Sequence, residues 1–277
     1  MYVYHSLKEI PYGEIARCFQ SAFSDYAISM QLTEAQVQQR LEMSGIHKDL
    51  SFGALAGDEM VGFIFNACSV YNGEQVAFDI GTGVVPAHRG KKVFANLFAF
   101  NEQALQERRI SKYYLEVLQQ NENAIAIYKK LGFQVAREFS VLRAAKPASA
   151  ADCQPVRYLP FADFVPEAVQ GCTGPVPSFE HSTGILRLNQ ELYEVALPEG
   201  QQPPSAFCIF DKDRGSIVQL GYTDLSTLKG MVAQLLSRFE AITAKNIDLR
   251  DIEVLELLQS VGFAEAVKQF EMVKVIG

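Results

Sequence analysis

The chain has 277 residues, 48% of them hydrophobic, and a formal net charge of −7, which suffices for one large core or two modest ones, the length favouring two domains. No apolar run approaches the ~18 residues of a membrane span and the amino terminus has no charged-then-apolar signal pattern, so a soluble cytoplasmic protein without a membrane partner is expected. Residues 1–146 hold 15 Lys+Arg and 15 Asp+Glu while residues 147–277 hold 10 and 17, and the lack of a basic stripe argues against nucleic acid as a partner.

The first half carries the segments with the clearest periodicity. Ile10, Ile15, Phe19, Ala22 and Phe23 share one helical face over Lys8 to Phe23, and Thr33 with Gln36 makes a capping-box pattern before a second helix through Leu41. The chain is thus expected to open with helices. Leu50 to Ala56, Val61 to Val70 and Gln75 to Val85, separated by Gly57-Asp58 and Asn72-Gly73, read as an antiparallel meander. After Gly90 a helix is expected to about Arg109, with Leu97, Phe98, Asn101, Leu105 and Arg108 dividing an apolar from a polar face. Leu115 to Leu118 follows as a strand. A cap at Asn121 to Asn123 then precedes Ala124, Ile125, Ile127, Tyr128 and Leu131 at helical spacing, and Gly132 supplies the stop before Phe133.

Six of the eleven prolines lie between Pro147 and Pro177, which places a domain boundary near residue 147. Beyond it the later order of the first half recurs. Strands are expected at Ala206 to Phe210 and Ser216 to Tyr222, a helix from about Leu225 to Ala244, a strand at Ile247 to Leu249 and a helix ending before Gly262-Phe263. Gly262-Phe263 stands 130 residues after Gly132-Phe133, and Val254 to Val261 repeats the apolar rhythm of Ala124 to Leu131. A weak internal repeat accounts for this, although any two βαβ-containing domains can share a Gly-Phe turn.

The five cysteines (Cys18, Cys68, Cys153, Cys172, Cys208) are scattered, with no Cys-x-x-Cys pair and no histidines at metal spacing, so free thiols and no metal site are expected. The net-neutral first half repels an anionic ligand less than the acidic second half, though drift in surface composition explains the asymmetry equally well.

The segment Leu115 to Phe133, with Val84, Val85, Pro86, Ala87, His88, Arg89, Gly90, Lys91, Lys92, Val93 and Phe94 upstream, resembles the GNAT family of N-acetyltransferases. The resemblance implies acetyl-CoA as co-substrate, a strand ending in Val-x-Pro, and Arg/Gln-x-x-Gly-x-Gly/Ala at the start of a helix. Backbone N–H groups there lack intrahelical acceptors and lie at the positive end of the helix dipole, which suits a pyrophosphate. Splayed strand ends would leave the backbone of Val84 and Val85 to pair with the pantetheine arm. Arg89 and Gly90 match the pattern. Lys92 stands in place of the first motif glycine and Phe94 in place of the following glycine or alanine. Lys92, with Lys91 and Arg89, offers charge-assisted contact to phosphate or else is a solvated first turn; Phe94 either turns into the core or narrows the site.

By the same resemblance Asn121 contacts the cofactor arm and Tyr128 is the general acid for the departing thiol; as residues alone, Tyr128 would read as a core aromatic. An alkylammonium of pKa ~10.4 must lose a proton before attack, and Asp79, Glu116 or His88 are the candidates to receive it, the two carboxylates having hydrogen-bonded structural roles as the alternative. Phe23, Ser24, Asp25 and Tyr26 resemble a segment of GNAT proteins with an additional carboxy-terminal domain, which implies substrate contact by Asp25 and Tyr26; a helix cap with core aromatics is the alternative. Pro177 to His181 is a further candidate for the acceptor cleft.

The expected architecture is therefore mixed α/β: residues 1–146 as a GNAT-like split mixed sheet with flanking helices, and residues 147–277 as a second, degenerate GNAT-like domain in which Leu258 replaces Tyr128. The expected activity is acetyl transfer to a primary amine of a small molecule or peptide by direct attack in a ternary complex. Two rivals stand beside it: a non-catalytic binding or regulatory protein with an impaired CoA site, and a scaffold whose acidic second domain binds a basic protein.

Overall fold

Tyr2–Ser6 forms a strand, β1, before any helix. This corrects the expectation that the chain opens with helices. Tyr2, Tyr4 and Ser6 turn inward while Val3 and His5 face out, so the alternation is carried by aromatic and hydroxyl groups and the one aliphatic residue points to solvent. The computed structural model describes residues 1–25, 32–146 and 153–276, and its contacts divide the chain into two units. Unit 1 comprises Met1–Glu116, Ala126–Gln134 and Met272–Gly277; unit 2 comprises Val117–Ile125 and Val135–Glu271. These units are not the halves 1–146 and 147–277, because each includes a strand-forming segment from the other half of the sequence repeat.

In unit 1, α1 (Tyr12–Ala22) starts later than its apolar pattern, since Pro11 takes the N-cap with φ −63° and ψ 146° and lacks the N–H a helix interior requires. Thr33 and Gln36 form the expected capping box at α2 (Glu34–Met43). The meander β2 (Phe52–Ala56), β3 (Glu59–Tyr71) and β4 (Glu74–Val84) is antiparallel, with β1 added on the β2 edge. Asn72 and Gly73 have φ of 51° and 81°, the left-handed pair that a tight hairpin needs. After α3 (Val93–Glu107) the chain returns as β5 (Lys112–Leu118), parallel to β4. The final residues also belong to this unit, with the Ile276 N–H donating to Ser111 O at 3.0 Å. Its core joins Ile15, Phe19 and Ala22 to Val37, Leu41, Phe63 and Phe65, the last two rings stacked at 4.3 Å.

β4 and β5 pair only from Val76↔Lys112 to Asp79↔Leu115. Beyond Asp79 the five residues Ile80–Val84 have no ladder to β5, and a register shift against β3 at Ile80 bends the strand at that point. The split mixed sheet is thus present.

α4 (Glu122–Lys130) and β6 (Gln134–Ala145) complete the first half. In unit 2, β6 pairs antiparallel with β11 (Ala241–Asp248), which is parallel to β10 (Ser216–Tyr222). Antiparallel pairing then continues through β9 (Ala206–Asp211), β8 (Tyr193–Pro198) and β7 (Val156–Pro160). α5 (Thr183–Leu186), α6 (Leu225–Arg238), α7 (Ile252–Ser260) and β12 (Ala264–Val275) are the remaining named elements. β7 and β8 escape a reading by composition because Pro155, Pro160 and Pro198 bound them, where proline is tolerated at strand ends. The helix expected to Ala244 stops at Arg238, since buried Ile242 and Ala244 alternate with half-buried Ala241 and Thr243 in strand fashion.

The repeat is confirmed in backbone detail. α7 and β12 each begin 130 residues after α4 and β6 and have the same lengths, nine and twelve residues. Gly132 and Gly262 adopt φ of 94° and 97°, and Phe133 and Phe263 donate their N–H to Tyr128 O and Leu258 O at 3.1 and 3.0 Å.

Candidate active site

The first component is the start of α3. Lys92 is its N-cap with φ 60° and ψ 15°, and no side chain caps the helix or places an acid in its first turn. The first intrahelical bond is Asn96 N–H to Lys92 O at 3.1 Å, so the N–H groups of Val93, Phe94 and Ala95 precede the hydrogen-bonded ladder. Gly90 is also left-handed at φ 72°, with open space where a Cβ would stand. A left-handed backbone at Lys92 explains why glycine suits this position in the family pattern; a non-glycine residue pays ~1 kcal/mol for it. Lys91 and Lys92 are exposed and Val93 is buried at 2% exposure, so the side chain of Val93 anchors the helix while its N–H stays at the first turn.

Arg89 is committed to the end of α1. Its Nη1 and Nη2 donate to Asp25 Oδ2 and Oδ1 at 2.5 and 3.0 Å, Nη2 also donates to Ala22 O at 2.7 Å, and Nε donates to Val84 O at 3.0 Å. The guanidinium holds the Asp25 carboxyl below the usual range. Two residues read separately, one for phosphate and one for substrate, therefore meet each other. His88 is tied to β1, its Nδ1 lying 3.0 Å from Tyr2 Oη. Tyr26 falls outside the described residues.

The backbone at the split has a defined polarity. Val85 N–H donates to Val61 O at 2.9 Å, so Val85 faces β3, and by antiparallel alternation the N–H and C=O of Val84 face the side that β5 has left. The C=O of Val84 receives Arg89 Nε. The N–H of Val84 is directed into the split.

The last component stands where β4 and β5 part. Asp79 accepts from the Gly81 N–H at 2.9 Å and from Thr82 Oγ1 at 2.6 Å, and also from the Tyr128 hydroxyl. Burial pushes its carboxyl up to about 6 against the opposing pull of these three donors. Tyr128 is half-buried on α4, edge-on to Phe94 at 6.3 Å and to Phe133 at 5.6 Å. Phe94 also approaches Phe98 at 6.0 Å, so its ring is packed at the side of Tyr128. Glu116 follows the last residue of β5 that is laddered to β4 and is half-buried. Asn121 Oδ1 accepts from Ala124 N–H at 3.2 Å and thereby caps α4 within unit 2.

Two residues escaped the sequence reading. Thr82, between Gly81 and Gly83, fixes the Asp79 carboxylate, and its only signal was a hydroxyl three residues after an acid. Tyr113 is fully buried with its hydroxyl donating to Asn66 Oδ1 at 2.5 Å. Burial and the nearby Asp79 and Tyr128 push its phenol well up; in sequence it is one of several core aromatics. Among the described residues there is no His/Cys/Asp/Glu group arranged for a metal ion, the five cysteines are free, and no helix is long and apolar enough to cross a membrane.

The sequence profile of the Acetyltransferase (GNAT) family matches residues 14–133. No curated protein sequence matches the chain. Among solved structures, a GCN5-related N-acetyltransferase from Sphaerobacter thermophilus is similar over 99% of this chain and 96% of its own, with TM-score 0.69 and 15% identity. A putative acetyltransferase from Pyrococcus horikoshii matches 99% of this chain and 89% of its own at TM-score 0.68 and 14% identity. A tandem GNAT protein from the clavulanic acid biosynthesis pathway matches 100% of this chain and 98% of its own at TM-score 0.66 and 10% identity. At these identities the likeness is one of fold, and it extends over both halves of the chain. Residues 14–133 thus match the profile of the GNAT acetyltransferase family, and the chain as a whole has a GNAT-like mixed α/β fold.

Proposed function

We propose that unit 1 is an N-acetyltransferase that moves an acetyl group from acetyl-CoA to a primary amine of a small molecule or peptide. The observation that carries this reading is the Asp79–Tyr128 hydrogen bond at the point where β4 and β5 diverge. The donors around the split fit such a co-substrate: the uncapped first turn of α3 with Lys91 and Lys92 suits a pyrophosphate, and the inward-facing N–H of Val84 suits an amide of the pantetheine arm. Arg89 serves in this reading by fixing the loop to Asp25 and Val84. Acetyl-CoA supplies an activated thioester carbon.

The residues of this chain then manage protons. Asp79, ionised above pH ~6, is the acceptor for the proton an ammonium must lose, directly or through a water. The Tyr128 hydroxyl donates to the leaving sulfur, and the Asp79 carboxyl beside it returns a proton to the phenol. Two protons leave nitrogen between ammonium and amide: the one taken by Asp79 replaces the proton that Tyr128 gives to sulfur, and the one released by the tetrahedral adduct passes to bulk water, with both side chains restored. Glu116 is the second candidate acceptor. In this reading residues 1–146 are the acetyltransferase domain of the sequence and residues 147–277 a degenerate GNAT-like domain.

Acetyl-CoA consumption against a panel of amines and peptides tests the reading. Turnover with one acceptor class, lost in Tyr128→Phe, is expected. CoA binding without turnover across the panel would favour the non-catalytic rival instead.

A further inference from the structure

Unit 2 has its own split, built like that of unit 1. β10 and β11 pair in parallel only at Ser216↔Thr243 and Ile217↔Ala244. A register shift against β9 falls at Val218, directly after the last paired residue, as the shift at Ile80 falls directly after Asp79. Superposing the two last pairs puts Gly221 at the place of Gly83 and Tyr222 at the place of Val84. Both glycines face a phenylalanine across the ladder: a Cβ would come within 2.6 Å of Phe63 at Gly83 and 2.5 Å of Phe207 at Gly221.

What lies in the second split is the chain itself. The N–H and C=O of Tyr222, the counterparts of the Val84 groups, bond to Thr173 O and N–H at 2.7 and 2.9 Å. Gly174 follows so closely against β10 that a Cβ there would stand 2.6 Å from Leu220 O. At the other end of the segment, Gln219 Nε2 donates to His181 O at 2.6 Å. From the β11 side Asn246 Nδ2 donates to Ser178 Oγ at 3.1 Å, and from β6 Arg137 donates to Val176 O and Pro177 O at 2.7 and 3.3 Å. Arg137 is itself buried and held by both oxygens of Glu271 at 2.7 Å. Phe179 and Ser178 are at most 1% exposed. Strands on both sides of the divergence thus hold one segment.

We infer that residues 173–182 are a built-in plug occupying in unit 2 the place that unit 1 keeps for an acyl-CoA arm, so that each chain carries one CoA site. The Tyr222 backbone groups correspond in kind and position to those of Val84, and in unit 2 they are satisfied by the two-bond bridge to Thr173, while two side-chain amides and a buried guanidinium hold the rest of the segment. Displacing the plug would take two carbonyl acceptors from the buried Arg137 and both partners from the Tyr222 peptide, so no ligand of ordinary affinity competes with it. The count of CoA sites rests on the function proposed for unit 1; the plug does not.

Hydrogen exchange of the full chain, with and without acetyl-CoA, separates the two. Peptides covering 173–182 are expected to exchange slowly in both conditions, and Gly174→Val to speed their exchange at least tenfold while peptides of 52–118 keep their protection. Gln219→Ala, a milder change, is expected to speed exchange only near 179–182. Calorimetric titration is expected to give one acetyl-CoA per chain. Fast exchange of 173–182 in the unmodified protein, protection that appears only with acetyl-CoA, or two sites per chain would overturn the plug. Slow exchange with no CoA binding at all would support the plug and overturn the reading of unit 1.

Discussion

The helices α3 and α6 follow corresponding strands and begin in opposite chemistries. Eight residues, 85–92, two of them in left-handed conformation, separate β4 from Val93 in unit 1, and the helix start carries lysines and no acid. In unit 2 only Thr223 and Asp224 separate β10 from α6, and Asp224 accepts from the N–H groups of Ser226 and Thr227 at 3.1 and 3.2 Å. A carboxylate sits where a phosphate would have to sit. The same dipole is thus left open in one unit and neutralised by the chain in the other, and the same divergence of strands is open in one and plugged in the other. On the function proposed for unit 1, binding capacity follows from what the sequence declines to satisfy internally.

The largest expected effect tests the acid at the first split, because unit 2 has Ile217 where unit 1 has Asp79. A carboxyl whose folded pKa is raised from 3.8 to about 6 is favoured when protonated: its contribution to stability is complete below the unfolded pKa and is lost as pH rises through about 6. Over that window the loss is ~3 kcal/mol. Unfolding free energies of the unmodified protein and Asp79→Asn should therefore diverge by this amount between pH ~4 and ~7, the wild type losing stability and the variant not. Parallel curves would place Asp79 in a solvated setting. Turnover should rise through the same pH range and lose that limb in Asp79→Asn.

Tyr128→Phe keeps the ring against Phe94 and Phe133 and deletes the hydroxyl. A fall in kcat of ~10²-fold with acetyl-CoA affinity and Tm unchanged is expected of a general acid. If Tyr128 is a packing residue, as Leu258 is at the corresponding place, turnover stays intact. Once an acceptor is known, this variant alone distinguishes the two.

Much of this comparison was legible beforehand. The Gly132-Phe133 and Gly262-Phe263 turns fixed the repeat because a left-handed stop leaves few choices of residue, and the Thr33-Gln36 box needs no tertiary partner. Asp79 and Tyr128 were legible one at a time; their hydrogen bond was not, since it depends on the bend at Ile80. The Arg89–Asp25 pair spans 64 residues and crosses two separately read motifs. The plug was least legible of all. Its prolines and glycines read as interruption, while its function comes from backbone groups, which every sequence has.

Lys92→Glu reverses charge at the open helix start and should weaken acetyl-CoA binding by at least ~1 kcal/mol, more in low salt than in high. Lys92→Gly sharpens the result by removing the charge while easing the left-handed backbone: weaker binding with unchanged or raised Tm would assign the effect to charge. Affinity unaltered by both changes would leave the backbone N–H groups as the phosphate site and remove Lys92 from it.

The smallest effect concerns the closed helix start. Asp224 is held below the usual carboxylate range chiefly by the Thr227 and Ser226 hydroxyls and the Ser226 N–H. A depressed folded pKa means that its contribution is present above the unfolded pKa and disappears as pH falls through the folded one, so acid should cost the unmodified protein a little stability that Asp224→Ala does not lose. At neutral pH the variant should melt a few degrees lower. Uncapping α6 should not create a second CoA site, because the loop between β10 and α6 is only two residues long and Tyr222 remains bonded to Thr173. A second equivalent of acetyl-CoA bound by Asp224→Ala would show that one carboxylate, and neither the short loop nor the plug, is what separates the two units.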